Sequence, residues 1–309
     1  GMILDNSFPP DPRVANEAKV LIQAGHQVHL YCLDYTGGDL MHEEEYEGIH
    51  VVRYPASQRI RSLAALAYTV PFYHNSLWKS IADFLQKQQI EILHVHDMAI
   101  VPAVYRANKK PQLPIILDLH ENRPEIMKFY AHVNTLQGKL LISPAKWKKV
   151  EFQQIKGADS LLVVTPEARE YYCQHVDVSS DKFVVLPNTV HDTFYKEAIE
   201  VPDIAERFKD RFNLLYVGET GLRRGLMTAL KALPLLIKEI PQINILIVGK
   251  SVTDHVLKDY VRQHQLEEYV TFEGWQDVKK FPAYIQASQI GISPLRRNIH
   301  HATTNANKI

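Results

Sequence analysis

Residues 214–248 read LLYVGETGLRRGLMTALKALPLLIKEIPQINILIV. An apolar run of strand length, Leu214–Val217, meets a glycine-containing turn and then an amphipathic stretch, Gly225–Glu239. A second apolar run, Ile243–Val248, follows. Strand, turn, helix and strand in that order predict a βα unit with parallel strands buried on both faces. Toward the C-terminus the pattern predicts helix Asp254–Gln263, strand Val270–Phe272, helix Val278–Ala287 and strand Gln289–Ser293. Toward the N-terminus it predicts strands at Met2–Leu4, Gln27–Leu33, Ile49–Tyr54, Ile92–Val95, Ile115–Leu119, Ser160–Val164 and Phe183–Leu186. Helical patterns fill the gaps, as in Arg13–Ala24, where Val14, Ala18, Leu21 and Ile22 share a face and Gly25 reads as the C-terminal cap.

The alternation breaks between Pro187 and Arg211, a stretch of mixed charge without a clear period. The expected architecture is therefore α/β, with two Rossmann-like doubly wound domains facing across a cleft. The expected bounds are 1–190 for the N-terminal domain, 191–211 for the linker, and 212–309 for a second, incomplete C-terminal domain. Ligands in such sheets bind beyond the C-terminal strand ends, so two domains predict one substrate each.

Bulk composition narrows the class. Lys plus Arg and Asp plus Glu both total 35 in 309 residues, giving zero formal net charge, which argues against nucleic acid as a partner. The two cysteines, Cys32 and Cys173, lie in no CxxC spacing, so neither a disulfide framework nor a zinc knuckle is expected and a cytoplasmic location fits. Apolar stretches such as Leu63–Tyr73 are too short to span a bilayer. The opening Gly1-Met2-Ile3-Leu4-Asp5 reads as the tail of a strand, and the closing Asn305 to Ile309 as the start of a helix, so a longer chain is expected.

Four segments carry candidate chemistry. In Phe8-Pro9-Pro10-Asp11-Pro12-Arg13-Val14, prolines stiffen a loop and Asp11 reads as an N-cap before a helix. It is either a rigid helix start or a loop in which Pro10, Asp11 and Arg13 meet an acceptor. The second segment, Leu117 to Asn122, ends a strand and projects His120 and Glu121, with His94, His96 and Asp97 ending the preceding strand. His94 and His96 share a face by the period of two, which permits a metal pair, but no complete ligand set is evident and none is expected.

The third is the turn Gly218-Glu219-Thr220-Gly221-Leu222-Arg223-Arg224-Gly225. Its glycine spacing is not GxGxxG. Two arginines at a helix start, where cations are disfavoured, suggest instead that they wait for a diphosphate. The fourth runs from Ser293 through Thr303, Thr304, Asn305, Asn307 and Lys308, hydroxyls and amides that can cap a helix or bind an anion. A basic cluster at Lys146-Trp147-Lys148-Lys149 is either a peripheral contact with an anionic membrane or a solvated helix face, and the charge spacing favours the second.

In this order, FPPDPRV at 8–14, LDLHE at 117–121, LPN at 186–188, YVGETGLRRGL at 216–226, FEGW at 272–275 and TTNANKI at 303–309 resemble the family 4 glycosyltransferases, which are retaining enzymes of the B-type fold. The resemblance implies that His120 lies beside the transferred sugar as the catalytic residue. It implies that Arg224 binds the donor diphosphate, that Gly218 lets backbone approach the nucleotide, and that Trp275 lines the base. Two departures stand out. Glu219 occupies a position where many members carry arginine, and Thr303 falls where the first of two glutamates is expected, the second lying beyond Ile309.

The expected reaction moves a sugar from a nucleoside diphosphate donor to a sugar or lipid-linked hydroxyl acceptor with retention. It needs no metal and no cofactor beyond the nucleotide-sugar co-substrate, and family habit points to polysaccharide or cell-envelope assembly. The alternatives are a sugar-nucleotide epimerase of similar shape, which needs no acceptor, and a non-catalytic sugar-nucleotide-binding protein.

Overall fold

A computed structural model describes residues 1–304 apart from 37–40, 65, 70, 131–132, 191–192 and 197, with the side chains of 137, 139, 140 and 193 also outside the described set. The chain divides into two compact units, the first being Gly1–Asn188 with residues 302–304, the second Thr189–His301.

The first unit is built on an eight-stranded sheet. Its strands are β1 Met2–Ile3, β2 His29–Asp34, β3 His42–Tyr46, β4 Ile49–Pro55, β5 Leu93–His96, β6 Ile115–Leu119, β7 Ser160–Val163 and β8 Phe183–Val185. They lie in the order β3-β4-β2-β1-β5-β6-β7-β8. All neighbours run parallel except β3, which pairs antiparallel with β4. The chain grows outward from β1 through β2 to β4, then crosses back to place β5 on the other side of β1. The β1–β5 boundary is therefore the switch point of this sheet.

Pleat parity sorts the side chains. Ile3, Tyr31, Leu33, Val95, Leu117 and Leu119 point to one face, into a core shared with Tyr73, Leu77, Ile81 and Phe84 of the helix Phe72–Lys87. Met2, Leu30, Cys32 and Val51 point to the other, under Val14 and Ala18 of the helix Pro12–Gln23. That helix starts as the sequence predicts, Asp11 accepting a hydrogen bond from the Val14 amide at 3.2 Å. It ends on Gly25 at φ +90, whose amide returns to the Ile22 carbonyl.

The sequence pattern predicts no element at β3. Its run HEEEY carries no apolar alternation; its partner strand holds it, with Tyr46 at its end packing on Phe8. His50 on β4 reaches Glu45 at 2.8 Å and Glu43 at 3.0 Å. Glutamates on an edge strand also discourage further pairing.

The second unit holds a four-stranded parallel sheet of β9 Phe212–Val217, β10 Ile243–Val248, β11 Val270–Gly274 and β12 Ile290–Gly291, in the order β11-β10-β9-β12. Every residue of β10 is buried. Ile243, Ile245 and Ile247 face the helices Leu226–Glu239 and Asp254–Gln263, whereas Leu246 and Val248 face Ile204, Phe208 and Tyr284. The stretch read as linker thus contains a helix, Pro202–Phe208, that covers one face of this sheet. Its apolar contribution rests on two residues, too few to set a period. The switch point here lies between β9 and β12.

Candidate functional site

In the first unit, chemistry gathers near the C-terminal ends of β5 and β6. Leu93 and Val95 of β5 belong to the apolar core, so parity sends His94 and His96 to the opposite face, and Asp118 of β6 joins them there. The helix Pro12–Gln23 presents Arg13 and Glu17, one turn apart, to the same place. Asp118 has no exposed surface. A bare carboxylate there would be prohibitively costly, and Arg13 meets it with two bonds, Nε to Oδ2 at 3.0 Å and Nη2 to Oδ1 at 2.8 Å. The remaining donor of Arg13, Nη1, goes to the Leu186 carbonyl at 3.2 Å and Asn188 Oδ1 at 2.9 Å, tying the segment after β8 to the same centre.

His120 completes the group. Its Nε2 lies 3.0 Å from Asp118 Oδ2 and 3.1 Å from His96 Nδ1. Burial lowers the His120 pKa, but the hydrogen bond to Asp118 and the attraction of Asp118 and Asp97 prevail, pushing it up to about 9. His96 is fully buried beside His94, and its pKa falls to about 3. A charged His120 therefore donates from Nε2 to Asp118, with neutral His96 as second acceptor. Burial raises the Asp118 pKa, yet the hydrogen bond from His120 and the histidine charge around it outweigh burial and hold the carboxylate ionised. Burial and the neighbouring Asp118 push Glu17 the other way, upward.

Glu17, His94, His96 and Asp118 each present a ligand-type atom, all within 4.8 Å of one another. The pair of histidines noted in the sequence thus gains two carboxylates. The positive charge between those carboxylates is the Arg13 guanidinium, whose Nε is 3.0 Å from Glu17 Oε1 as well as 3.0 Å from Asp118. Just past the strand ends, Arg123 is paired with Asp97 at 3.3 Å and Glu121 at 3.2 Å. Asp5, after β1, accepts the Tyr73 hydroxyl at 3.1 Å.

In the second unit the turn after β9 is shaped by glycines. Gly218 sits at φ +126, and a Cβ on Gly249 (φ +148) would strike the Gly218 carbonyl, so β9 and β10 end in close contact. Gly225, at φ +80, likewise lies against the Pro294 carbonyl, which places the turn beside the segment leaving β12. The Tyr216 hydroxyl donates to the Glu219 carbonyl at 2.6 Å. The Glu219 side chain folds back over the turn: Oε1 accepts the Gly221 amide at 2.9 Å, and Oε2 lies 3.1 Å from Arg224 Nε and 3.3 Å from Arg223 Nη2. His300 is buried nearby. Desolvation, His301 and both arginines drive its pKa down to about 3, so it adds no charge. The helix Leu226–Glu239 begins at Gly225 with no side-chain cap.

The structure brings Gly218, Glu219, Arg223 and Arg224 together as one turn. Trp275 stands on the loop after β11, 67% exposed. Thr303 is buried and Thr304 half-buried, and both group with the first unit. Asn305, Asn307 and Lys308 lie outside the described residues. Pro10 is exposed and Asp11 caps its helix, while Arg13 is drawn inward by Asp118 rather than held open in a loop. Trp147 corrects the reading of the basic cluster: it is 2% exposed and packs edge-on against Tyr68 at 4.4 Å. Lys148 lies over Phe152 and Tyr171 and reaches Glu125 at 3.6 Å, while Lys146 and Lys149 are exposed, as the solvated helix face expects. Among the described residues, no helix is long and apolar enough to cross a membrane.

Sequence reasoning passed over Glu17, Asp118 and Arg123. A carboxylate inside an apolar strand was the available signal for Asp118, since such a group demands a buried partner. The Arg13–Glu17 spacing of four on one helix was the signal for that partner.

Comparison with known proteins accords with this geometry. Residues 13–194 match the family described as Glycosyltransferase Family 4, and residues 199–301 match Glycosyl transferases group 1. No curated protein sequence matches. Among solved structures, the sucrose-phosphate synthase of Thermosynechococcus elongatus is similar at 18% identity and a TM-score of 0.68, over 95% of this chain and 74% of that one. A trehalose-6-phosphate protein from E. coli bound with UDP-2-fluoro glucose is similar at 16% identity and a TM-score of 0.67, over 98% and 81%. Anabaena HepE in complex with UDP is similar at 12% identity and a TM-score of 0.61, over 94% and 72%. At such identities the structural likeness speaks to the fold. With the family match covering most of the sequence, the chain belongs to the family 4 glycosyltransferases and has their B-type α/β fold.

Proposed function

We propose that this glycosyltransferase moves a sugar from a nucleoside diphosphate donor to a hydroxyl acceptor with retention at the anomeric carbon. The second unit takes the donor at the turn after β9, and the first takes the acceptor at the ends of β1, β5 and β6. One observation carries the reading: the turn 218–225 already binds an anion, the Glu219 carboxylate, through a backbone amide and two arginines. A diphosphate leaving group needs that type of partner, because its departure builds negative charge that fixed donors can meet without reorganising. Two relatives of the same fold were solved with UDP and with UDP-2-fluoro glucose, which supports a nucleotide-sugar donor.

Arg223 and Arg224 supply the charge in this account, so the transfer step requires no metal ion. In the first unit His120 is the catalytic candidate. Its proton is held by Asp118 throughout the neutral range, and the imidazolium meets a hydroxyl of the transferred sugar. One fixed donor in comparable sites is worth about 3–4 kcal/mol, or roughly 10²–10³ in turnover. Arg224→Ala is therefore expected to lower turnover by that factor, and calorimetric titration with UDP, GDP and ADP to show weakened binding of the preferred nucleotide. Unchanged binding and turnover in a folded variant would refute the assignment.

A further inference from the structure

The Glu219 contacts have the form of a bound phosphate. One oxygen takes a backbone amide, Gly221 N–H at 2.9 Å, and the other takes Arg224 Nε at 3.1 Å with Arg223 Nη2 at 3.3 Å. The side chain is 43% exposed, whereas the two arginines are 20% and 23% exposed, so the carboxylate covers them from the solvent side. Arg223 Nη1 is buried with no hydrogen-bond partner, so the guanidinium retains capacity for a further acceptor.

We propose that Glu219 is an internal stand-in for the donor's phosphate. It occupies the arginines and must swing out for the donor to bind, which makes it a residue that sets donor affinity. The inference rests on the donor assignment above and adds an internal competitor for the donor's place. A carboxylate offers one charge and two oxygens. Inorganic phosphate carries about −1.5 to −2 charge but on a single centre, and it binds against the repulsion of the displaced Glu219. A diphosphate bridges both arginines and the Gly221 amide at once, and it prevails. Glu219 thereby sets a threshold that any anion must cross at this turn, and a diphosphate crosses it by making more contacts. Glu219 also keeps the arginines from being held as bare charges at a helix start, where the helix dipole opposes them.

The test compares the whole protein with Glu219→Gln and Glu219→Ala by calorimetry, using UDP, GDP, ADP and inorganic phosphate as separate titrants. Glutamine keeps an acceptor for the Gly221 amide and loses only the charge. The expected result is about tenfold tighter binding of the preferred nucleoside diphosphate in both variants, equivalent to about 1.4 kcal/mol. Inorganic phosphate, which must displace the same carboxylate, should gain by a comparable factor. Equal or weaker nucleotide binding in both variants, while the wild type binds normally, would overturn the role of Glu219 and leave the donor assignment standing. Absence of nucleotide binding in wild type and variants alike would overturn both. Thermal melting of each variant checks that the turn survives.

Discussion

Replacing Asp118 by asparagine tests the buried centre of the first unit. The substitution keeps the shape and removes the charge that Arg13 grips through two bonds and His120 through one. His120 is displaced from its ordinary 6.5 to about 9, although burial alone would lower it. Each pKa unit is worth about 1.36 kcal/mol, so the displacement corresponds to about 3 kcal/mol of preference for the charged ring. The depressed Asp118 pKa reports the same attraction from the other side and is not counted again. Because the folded-state pKa is raised, this contribution is fully present below pH 6.5 and is lost as pH rises through about 9. In Asp118→Asn, burial and the Arg13 charge remain while the Asp118 attraction is gone and only that of Asp97 is left, so His120 should titrate well below 9. Leaving Arg13 buried without its partner should cost about 3–5 kcal/mol at neutral pH. The assay is NMR titration of the histidine rings, with His120 assigned from a His120→Gln variant, alongside urea unfolding at pH 6, 7.5 and 9.5. A His120 that still titrates near 9 in Asp118→Asn would refute the reasoning, as would unchanged stability at pH 6.

Two further outcomes are expected. Burial raises the Glu151 pKa from 4.5 to about 8, so the folded chain binds a proton that the unfolded chain has released, and stability falls as pH climbs from 4.5 to about 8. Glu151→Gln, which keeps an acceptor for the Tyr172 hydroxyl, should lose this slope and melt above the wild type at pH 8, with a smaller difference at pH 5. Equal slopes would show that Glu151 is ionised in the fold. Gly225→Ala forces a Cβ against the Pro294 carbonyl at a positive φ, and should destabilise the second unit by about 1–3 kcal/mol in urea unfolding. A loss under about 0.5 kcal/mol would mean that the two segments separate freely.

Much of the fold was legible because burial writes itself into periodicity. The six residues of β10 are apolar save Asn244 and all buried, and the helix Asp254–Gln263 ends where its amphipathic pattern ends. Asp11 and Gly25 mark their helix by local chemistry, which sequence displays directly. What failed to show depended on remote partners. The Asp118 side chain is explained by Arg13, 105 residues away, and nothing near it in sequence announces the pairing. The β3 strand is charged because an edge needs no core face, so its residues carry no alternation. Trp147 was hidden by its lysine neighbours, since a helix can bury one residue and solvate those beside it. Glu219 stood out only as a departure from its family, and its meaning came from the positions of Gly221, Arg223 and Arg224 around its carboxylate.

Hydrogen–deuterium exchange of the whole protein, with and without saturating nucleoside diphosphate, probes the donor assignment at its location. Slowed exchange at the backbone amides of residues 218–228 on ligand addition, abolished by Arg224→Ala, is the predicted result. Protection confined to other segments, or protection at 218–228 that persists without Arg224, would contradict the placing of the donor diphosphate on that turn.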